Sequence, residues 1–318
     1  MKVSVILPTY NRGYIIGDAL ASALEQSHAD FEIIVVDDGS SDRTCEIVEQ
    51  FKNDKIRYIR HKSNRGCSAA YNTGIAAATG PLIAFLDSDD VWKANYLETL
   101  AGFLGRHPEA DVVFCDTEIQ SDSTSVPSLI ALMKSFPRLL QENPGMGEYV
   151  FSGRQMFVCL LEEVPIKPTA VLVRREMFEK AGTFDEAWPS GTDWDLFLRF
   201  SHSACFGYID LPLVIQRRTP DATHQKFLEQ DKLFVLNICL KEKAKLVNDR
   251  EALRAVNRGI SGHCRELAYN YLHSGQRMKS LSLYVQGFKE TREPMMLVRA
   301  ASTLVPSGVR NLLKSAVR

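Results

Sequence analysis

The residues able to do chemistry in this chain gather in short clusters. Asp87-Ser88-Asp89-Asp90 directly follows an apolar run. Carboxylates are hard oxygen ligands, and alternate positions of an extended segment can face the same side, so Asp87 and Asp89 can hold a divalent ion such as Mg2+ or Mn2+. An ion so placed can bridge phosphate oxygens as a diphosphate leaves. An acidic turn that caps a helix explains the same residues. Asp37-Asp38-Gly39-Ser40 has the same placement after its own apolar run; Asp38 can accept a hydrogen bond from the ring N–H of uracil or a similar base, or the four residues can simply form an Asx-turn. Pro8-Thr9-Tyr10-Asn11 can frame a nucleotide, with Tyr10 stacked on the base and Thr9 in contact with it, or merely end a strand. In Asn64-Arg65-Gly66 the glycine permits close backbone approach and the guanidinium can meet phosphate, and Tyr71-Asn72-Thr73-Gly74 follows shortly after. A loop that only needs positive φ at Gly66 is the plain alternative.

The elements that must position these clusters alternate. Val3–Leu7, Phe31–Val36, Ile56–Ile59 and Leu82–Leu86 read as strands, while Ile15 to Gln26, the segment after Asp42, and Asn72–Ala78 have helical spacing. Continuous apolar strands separated by helices imply an α/β fold with a mostly parallel sheet flanked by helices. Ligands of such sheets sit beyond the carboxyl ends of the strands, so the clusters after the first, second and fourth strands should share one rim. A helix over Tyr96–Arg106 and a strand over Val112–Cys115 follow. From about 117 to 153 periodicity fades while Ser, Pro and Gly accumulate, which reads as an insertion or a long acceptor-side loop. Order resumes with a strand at Thr169–Val173, a helix at Arg175–Lys180, and another helix opened by Gly191-Thr192-Asp193-Trp194-Asp195. From about Phe227 onward only helices are expected, giving a domain over 1–225 and a helical C-terminal region over 226–318.

Composition narrows the function classes. The chain has 318 residues, 45% hydrophobic and 24% charged, with a formal net charge of −1, ordinary for a globular protein and without the basic excess of a nucleic-acid binder. Its 7 cysteines are scattered and form no CxxC pair, which argues against a disulfide framework or zinc cluster and suits a reducing, cytoplasmic setting. The first apolar stretch is too short for a signal sequence, and no run approaches the ~18 apolar residues of a membrane span. The tail from Met295 to Arg318 carries Arg299, Arg310, Lys314 and Arg318 among apolar residues, with no acid. A basic amphipathic tail can lie peripherally on the anionic inner face of a membrane, although Pro306 and Gly308 break this one into short pieces.

Taken in order, VSVILPTYNR, EIIVVDDGSSDRT, NRGCSAAYNTGIAAATG and IAFLDSDD resemble the family 2 glycosyltransferases of the GT-A fold over about residues 1–120. VLVRREMFEKAGTFDEAWPSGTDWDLFLRF extends the resemblance to about residue 220. It implies a GT-A-like, Rossmann-related domain that binds a nucleotide-sugar donor through Pro8, Thr9, Tyr10, Asp38, Arg65, Gly66, Asn72 and Ser88. It also implies that Mg2+ or Mn2+ is held on Asp89 with Asp87 second. In that family the Asp preceding Trp is similar to a general base; carried over, the base is Asp193, which can take the acceptor hydroxyl proton. A helix cap is its plain alternative.

The chain departs from the family pattern at several places. Thr192 stands where Glu is common, Tyr71 where an Arg precedes Asn-x-Gly, and Ala94 where Pro is common. Gln216-Arg217-Arg218 resembles the late Tyr-Arg-x-His stretch, with Thr219 at the His position and His224 nearby. Arg217, His224 and Trp194 are therefore candidate acceptor or diphosphate contacts. The expected activity is inverting transfer from a nucleoside-diphosphate sugar, most simply a UDP-sugar, to a glycan or lipid-linked acceptor in polysaccharide or glycolipid assembly. Two alternatives are a nucleotidyltransferase, for which Pro8–Gly13 makes a poor triphosphate loop, and a non-catalytic nucleotide-sugar-binding module, for which Thr192 is the hint.

Overall fold

The computed structural model describes residues 1–121, 124–143, 145–188, 191–218 and 223–304, with the side chains of 223–228 and 231 left aside. The chain divides into two compact units, Met1–Phe227 and Leu228–Arg318.

The first unit opens with three β/α turns: β1 (Val3–Thr9), α1 (Ile16–Leu24), β2 (Phe31–Asp37), α2 (Thr44–Gln50), β3 (Ile56–Arg60) and α3 (Cys67–Ala77). It continues through β4 (Leu82–Phe85), β5 (Val91–Trp92), α4 (Tyr96–Arg106), β6 (Val112–Gln120), β7 (Ser125–Val126), α5 (Ser135–Glu142), β8 (Glu148–Phe151) and α6 (Gly153–Leu160). It closes with β9 (Val171–Arg174), α7 (Glu176–Ala181), α8 (Thr192–Ser201) and β10 (Phe206–Arg217). One sheet runs in the order β3-β2-β1-β4-β9-β6-β10-β5, with β7 beside β6 and β8 beside β10. The strands β3, β2, β1 and β4 are mutually parallel; β9 runs antiparallel between β4 and β6.

All seven residues of β1 are buried because both faces of the sheet are covered. Val3, Val5 and Leu7 join Ile33, Val35, Leu82 and Ala84 under the apolar sides of α1 and α4. The alternate residue Ile6 meets α3 on the other face: a Cβ on Gly74 would lie 2.2 Å from Ile6 Cγ2. Only glycine lets α3 approach that closely. Gly74→Ala is therefore expected to cost roughly 1–3 kcal/mol by overpacking, read as a lower denaturant midpoint with an unchanged m-value.

Two expectations need correction. The stretch from 117 to 153 is not an irregular loop: β6 runs on to Gln120, and α5 and β8 follow. Phe136 of α5 is fully buried, with rings of Phe114, Phe151 and Tyr208 around it. Elements this short fall below the window in which periodicity can be read. The sequence reading also passed over β10, whose apolar run is broken by Asp210 and Pro212. There the strand slips register against β6, between Ile209 and Pro212 and again between Pro212 and Val214, and a bulge accommodates residues that a regular ladder would reject.

The second unit contains α9 (Thr223–Lys245, starting just before the boundary), α10 (Arg250–His273), α11 (Arg277–Thr291) and α12 (Pro294–Leu304). The Asp249 side chain caps α10 by accepting from Ala252 N at 3.0 Å, and a stripe from Ala252 through Val256, Ile260 and Cys264 is buried. Met296, Ala300 and Thr303 fix the inner side of α12, which leaves Met295, Leu297, Val298 and Leu304 exposed beside Arg299.

Candidate active site

Parallel pairing puts the carboxyl ends of β1, β2 and β4 on one rim, with Thr9 opposite Asp37 and Ile6 opposite Phe85. The loop after β4 is a tight turn closed by Asp90 N on Asp87 O at 3.0 Å. Its carboxylates have different surroundings. Asp87 accepts a hydrogen bond from the Tyr71 hydroxyl; burial first, then the charge of Asp89, push its pKa up to about 6, and Asp193 adds to that push while Tyr71 and Arg12 oppose it. Asp89 is partly exposed, with Arg12 Nη2 at 3.8 Å from Oδ2. Asp90 is buried and accepts from Arg217 N at 3.1 Å; burial and its two acidic neighbours raise its pKa well above the usual range.

Tyr71 is a site residue that sequence reasoning noticed only as a departure. Its ring stacks on Phe184 with centroids 4.7 Å apart and meets Phe85 edge-on at 5.1 Å, which aims the hydroxyl at Asp87. Asn72, expected at the donor, instead fastens the segment that carries Phe184: its Oδ1 accepts from Phe184 N at 3.0 Å, and its Nδ2 donates to Phe184 O and to Glu186, both at 2.9 Å. The helical start of α3, and its spacing to a buried aromatic, is the signal that could have revealed Tyr71.

On the β2 side, the Asp38 carboxylate accepts from Arg65 N at 2.9 and 3.0 Å and from Gly66 N at 2.7 Å. It also contacts His61 Nδ1 at 2.6 Å, and the other ring nitrogen of His61 meets Thr73 Oγ1 at 2.9 Å. Asp38 therefore organises the turn into α3, where Gly66 has φ +95°, and His61 completes that brace. The Arg65 side chain pairs with Glu186 at 3.1 Å on the surface. Pro8 and Thr9 close β1; the buried Thr9 Oγ1 has no partner among the described residues, Ser88 is buried, and Tyr10 is 46% exposed.

Asp193 lies in the first turn of α8, behind Gly191 in a left-handed conformation. The helix start is held by a 2.8 Å contact between the buried hydroxyls of Thr192 and Ser68. Trp194 is buried and donates Nε1–H to Leu160 O at 2.6 Å, so it anchors α8 to the end of α6. Asp195 pairs with Arg199 at 2.8 Å. Arg217 also works inward: Nε donates to Asp89 O at 2.6 Å and Nη1 to Asp18 at 2.5 Å, while the buried Nη2 has no partner among the described residues. Its guanidinium thus clamps the acidic loop to α1. The side chain of His224 lies outside the described residues.

The donor set suits a hard cation. Asp89 and Asp193 both bear on the charge of Asp87, and Asp89 remains partly open to solvent. Among the described residues no three His, Cys, Asp or Glu side chains form a cage for a metal ion. Nucleotide sites do not need one: Mg2+ commonly rests on one or two carboxylates plus the substrate's phosphates. Cys67, at the start of α3, has its thiol pKa raised by burial and then by Asp87.

Three comparisons bear on this arrangement. The family profile described as "Glycosyl transferase family 2" matches residues 4–182, which includes the acidic loop and stops short of Asp193. An uncharacterized glycosyltransferase of Rickettsia felis is 34% identical over 213 residues, 67% of this chain and 32% of that protein. The Escherichia coli protein WfgD, named as a UDP-Glc:alpha-D-GlcNAc-diphosphoundecaprenol beta-1,3-glucosyltransferase, is 34% identical over 145 residues, 46% of this chain and 57% of that protein. The chain thus spans between about a third and somewhat over half the length of these curated relatives. Among solved structures, S. aureus TarS 1–349 in complex with UDP superposes with a TM-score of 0.58 at 22% identity, covering 89% of this chain and 75% of that one.

Proposed function

The chain belongs to glycosyl transferase family 2, and from that premise we propose that it transfers a sugar from a nucleoside-diphosphate sugar to a hydroxyl of a glycan or lipid-linked acceptor, with inversion at the anomeric carbon. A UDP-sugar is the donor we favour; the name of WfgD and the UDP complex of TarS support that choice. The observation that carries the reading is the acidic loop on the rim with the start of α8, which bears Asp193, pinned by the 2.8 Å Thr192–Ser68 contact to α3, one turn before the Tyr71 that bonds Asp87.

Within this reading the rim residues divide the work. Thr9, buried with a free hydroxyl, and exposed Tyr10 receive the base, and Asp38 holds the turn at Arg65 and Gly66 that borders it. Asp89, with Asp87 behind it, would hold Mg2+ or Mn2+. The ion, when bound, supplies positive charge for the departing diphosphate. Asp193 accepts the acceptor hydroxyl proton as that oxygen bonds to the anomeric carbon; the bond from that carbon to the phosphate oxygen breaks, and the nucleoside diphosphate leaves with its electron pair. The Tyr71 hydroxyl keeps Asp87 oriented, and the Arg217 clamp fixes the loop backbone.

Thr192 gives a second reading some footing, since its hydroxyl is committed to Ser68 and leaves Asp193 without the carboxylate neighbour that the family often has. A module that binds donor and does not turn it over would share all the rim geometry. Incubating the chain with UDP-, GDP- and dTDP-sugars, with Mn2+ or with chelator, separates the two. Metal-dependent release of one nucleoside diphosphate supports the transferase, whereas saturable binding with no release from any donor supports the module. A cytoplasmic location, peripheral on the inner membrane face, completes the proposal. Among the described residues no helix is long and apolar enough to cross a membrane, and α12 exposes apolar residues beside Arg299. Arg310, Lys314 and Arg318 of the tail lie outside the described residues.

A further inference from the structure

Between α7 and α8 the chain runs from Gly182 to Trp188 in no regular helix or strand, yet its course is held from two sides. From α3, the Asn72 amide grips the Phe184 backbone twice: Oδ1 accepts from Phe184 N at 3.0 Å, and Nδ2 donates to Phe184 O at 2.9 Å. The same Nδ2 also donates to Glu186 Oε1 at 2.9 Å, so its partners fix which end of the amide is which. From α8, Arg199 donates Nη2–H to Thr183 O at 2.7 Å and Nη1–H to Ala181 O, and its Nε–H goes to Asp195 at 2.8 Å. The segment is thus a spacer between α3 and α8. Ser68, which meets Thr192 at the start of α8, precedes Asn72 by one helical turn and shares its face of α3. Tyr71, next to Asn72, holds Asp87 through its hydroxyl while its ring stacks on Phe184. The helix that orients the acidic loop therefore also fixes α8, and Asp193 stands in the first turn of α8.

We propose that Asn72 is a positioning residue for sugar transfer: acting through Phe184 and Arg199, it sets the first turn of α8, and with it Asp193, against the acidic loop, and it makes no contact with the donor. Both N–H groups of the amide are committed to Phe184 O and Glu186, whereas a diphosphate is an acceptor and needs donors. A misplacement of about 1 Å at a reacting group can cost ~10²-fold in rate. Loss of the brace should therefore appear in turnover and not in donor affinity. This rests on the reading of Asp193 as the base, and adds to it the residue that keeps the base in register with the departing diphosphate.

The test uses the full chain and the UDP-, GDP- or dTDP-sugar from which wild type releases nucleoside diphosphate, with Mn2+ present and water as acceptor. Turnover is expressed per binding site for the matching nucleoside diphosphate, counted by calorimetric titration, so that a misfolded fraction does not enter kcat. Asn72→Asp keeps an acceptor for Phe184 N, loses both donors and sets a carboxylate against Glu186. Its kcat should fall roughly 10-fold or more, while donor KM and nucleoside-diphosphate affinity stay within about 3-fold of wild type. Adding Glu186→Gln, whose amide can donate to that carboxylate, should recover at least about 3-fold of the loss. Arg199→Lys, which cannot reach both carbonyls, acts at the other end of the same route; it should show the same split and covers the case in which Asn72→Asp fails to fold. Unchanged kcat per site in both Asn72→Asp and Arg199→Lys would overturn the inference. So would a rise in donor KM of about 10-fold or more at unchanged kcat, which would make Asn72 a donor contact. Release of no nucleoside diphosphate by wild type would overturn the transferase reading and the inference together.

Discussion

Asp193→Asn should lower sugar transfer by roughly 10²–10⁴-fold, the range for loss of a positioned general base, while UDP affinity stays within about 3-fold of wild type. The substitution keeps the size and shape of the side chain and removes only its ability to take a proton. The helix start does not depend on that carboxylate, since the Thr192 to Ser68 contact and the Trp194 indole hold α8 in place. Asp195 is no substitute, because Arg199 already engages it. Initial transfer rates at saturating donor, together with calorimetric titration of UDP, check both halves. A variant that keeps transfer within a few-fold of wild type would assign the base elsewhere, and one that loses UDP binding in parallel would make Asp193 a donor residue.

Asp87→Asn should do two things at once: reduce donor turnover by about 10²-fold and make the metal-free protein more stable at neutral pH. Burial and the charge of Asp89 raise the folded pKa of Asp87 to about 6, above its unfolded value. Between those values the folded chain holds a proton that the unfolded chain releases. Stability contributed by the protonated form is therefore complete below the unfolded pKa and is lost as pH rises through about 6. Asparagine cannot ionise and still accepts from Tyr71 through its amide oxygen, so it escapes that loss. The gain should be roughly 1–3 kcal/mol near pH 8, a rise in Tm of about 2–6 °C, and it should vanish near pH 4. Thermal melts in chelator at both pH values check it. A lower Tm at pH 8 would mean that the ionised carboxylate is held by partners stronger than Tyr71 and Arg12.

The half of the fold that carries the acidic rim was legible because its signals are local and repeated. Strands such as Val3–Thr9 and Phe31–Asp37 are unbroken β-branched runs that end in a polar cluster, and parallel pairing follows from the helices between them. The rest hid for identifiable reasons. β10 contains Asp210 and Pro212, which read as a breaker until a bulge accommodates them. α5 and β8 are too short to show a period, and their burial comes from partners distant in sequence, such as Phe136 on Tyr208. The site shows the same division. Residue types and positions could be read off, yet what each side chain touches could not: Asn72, Trp194 and Arg217 look available to a ligand in the sequence and are committed to backbone carbonyls or neighbouring carboxylates in the fold. Tyr71 and Arg12 have the reverse history, since their contacts with Asp87 and Asp89 depend on where α3 and the β1 turn come together.

The bulge in β10 divides one strand into two jobs. Before it, Phe206–Ile209 pairs with β6 on one side and β8 on the other. After it, Val214 and Ile215 pair with β5, and Arg217 reaches the acidic loop. Between the two stretches Asp210 and Leu211 have no partner on β6, so the ladder to that strand is interrupted. Asp210 N donates instead to Gly147 O at 2.8 Å, so the slipped step is tied to the β8 side of the strand and not to the acidic-loop side. A chimaera exchanged at the bulge is expected to take the acidic loop and its Arg217 contact from one parent and the β8 edge of its sheet from the other.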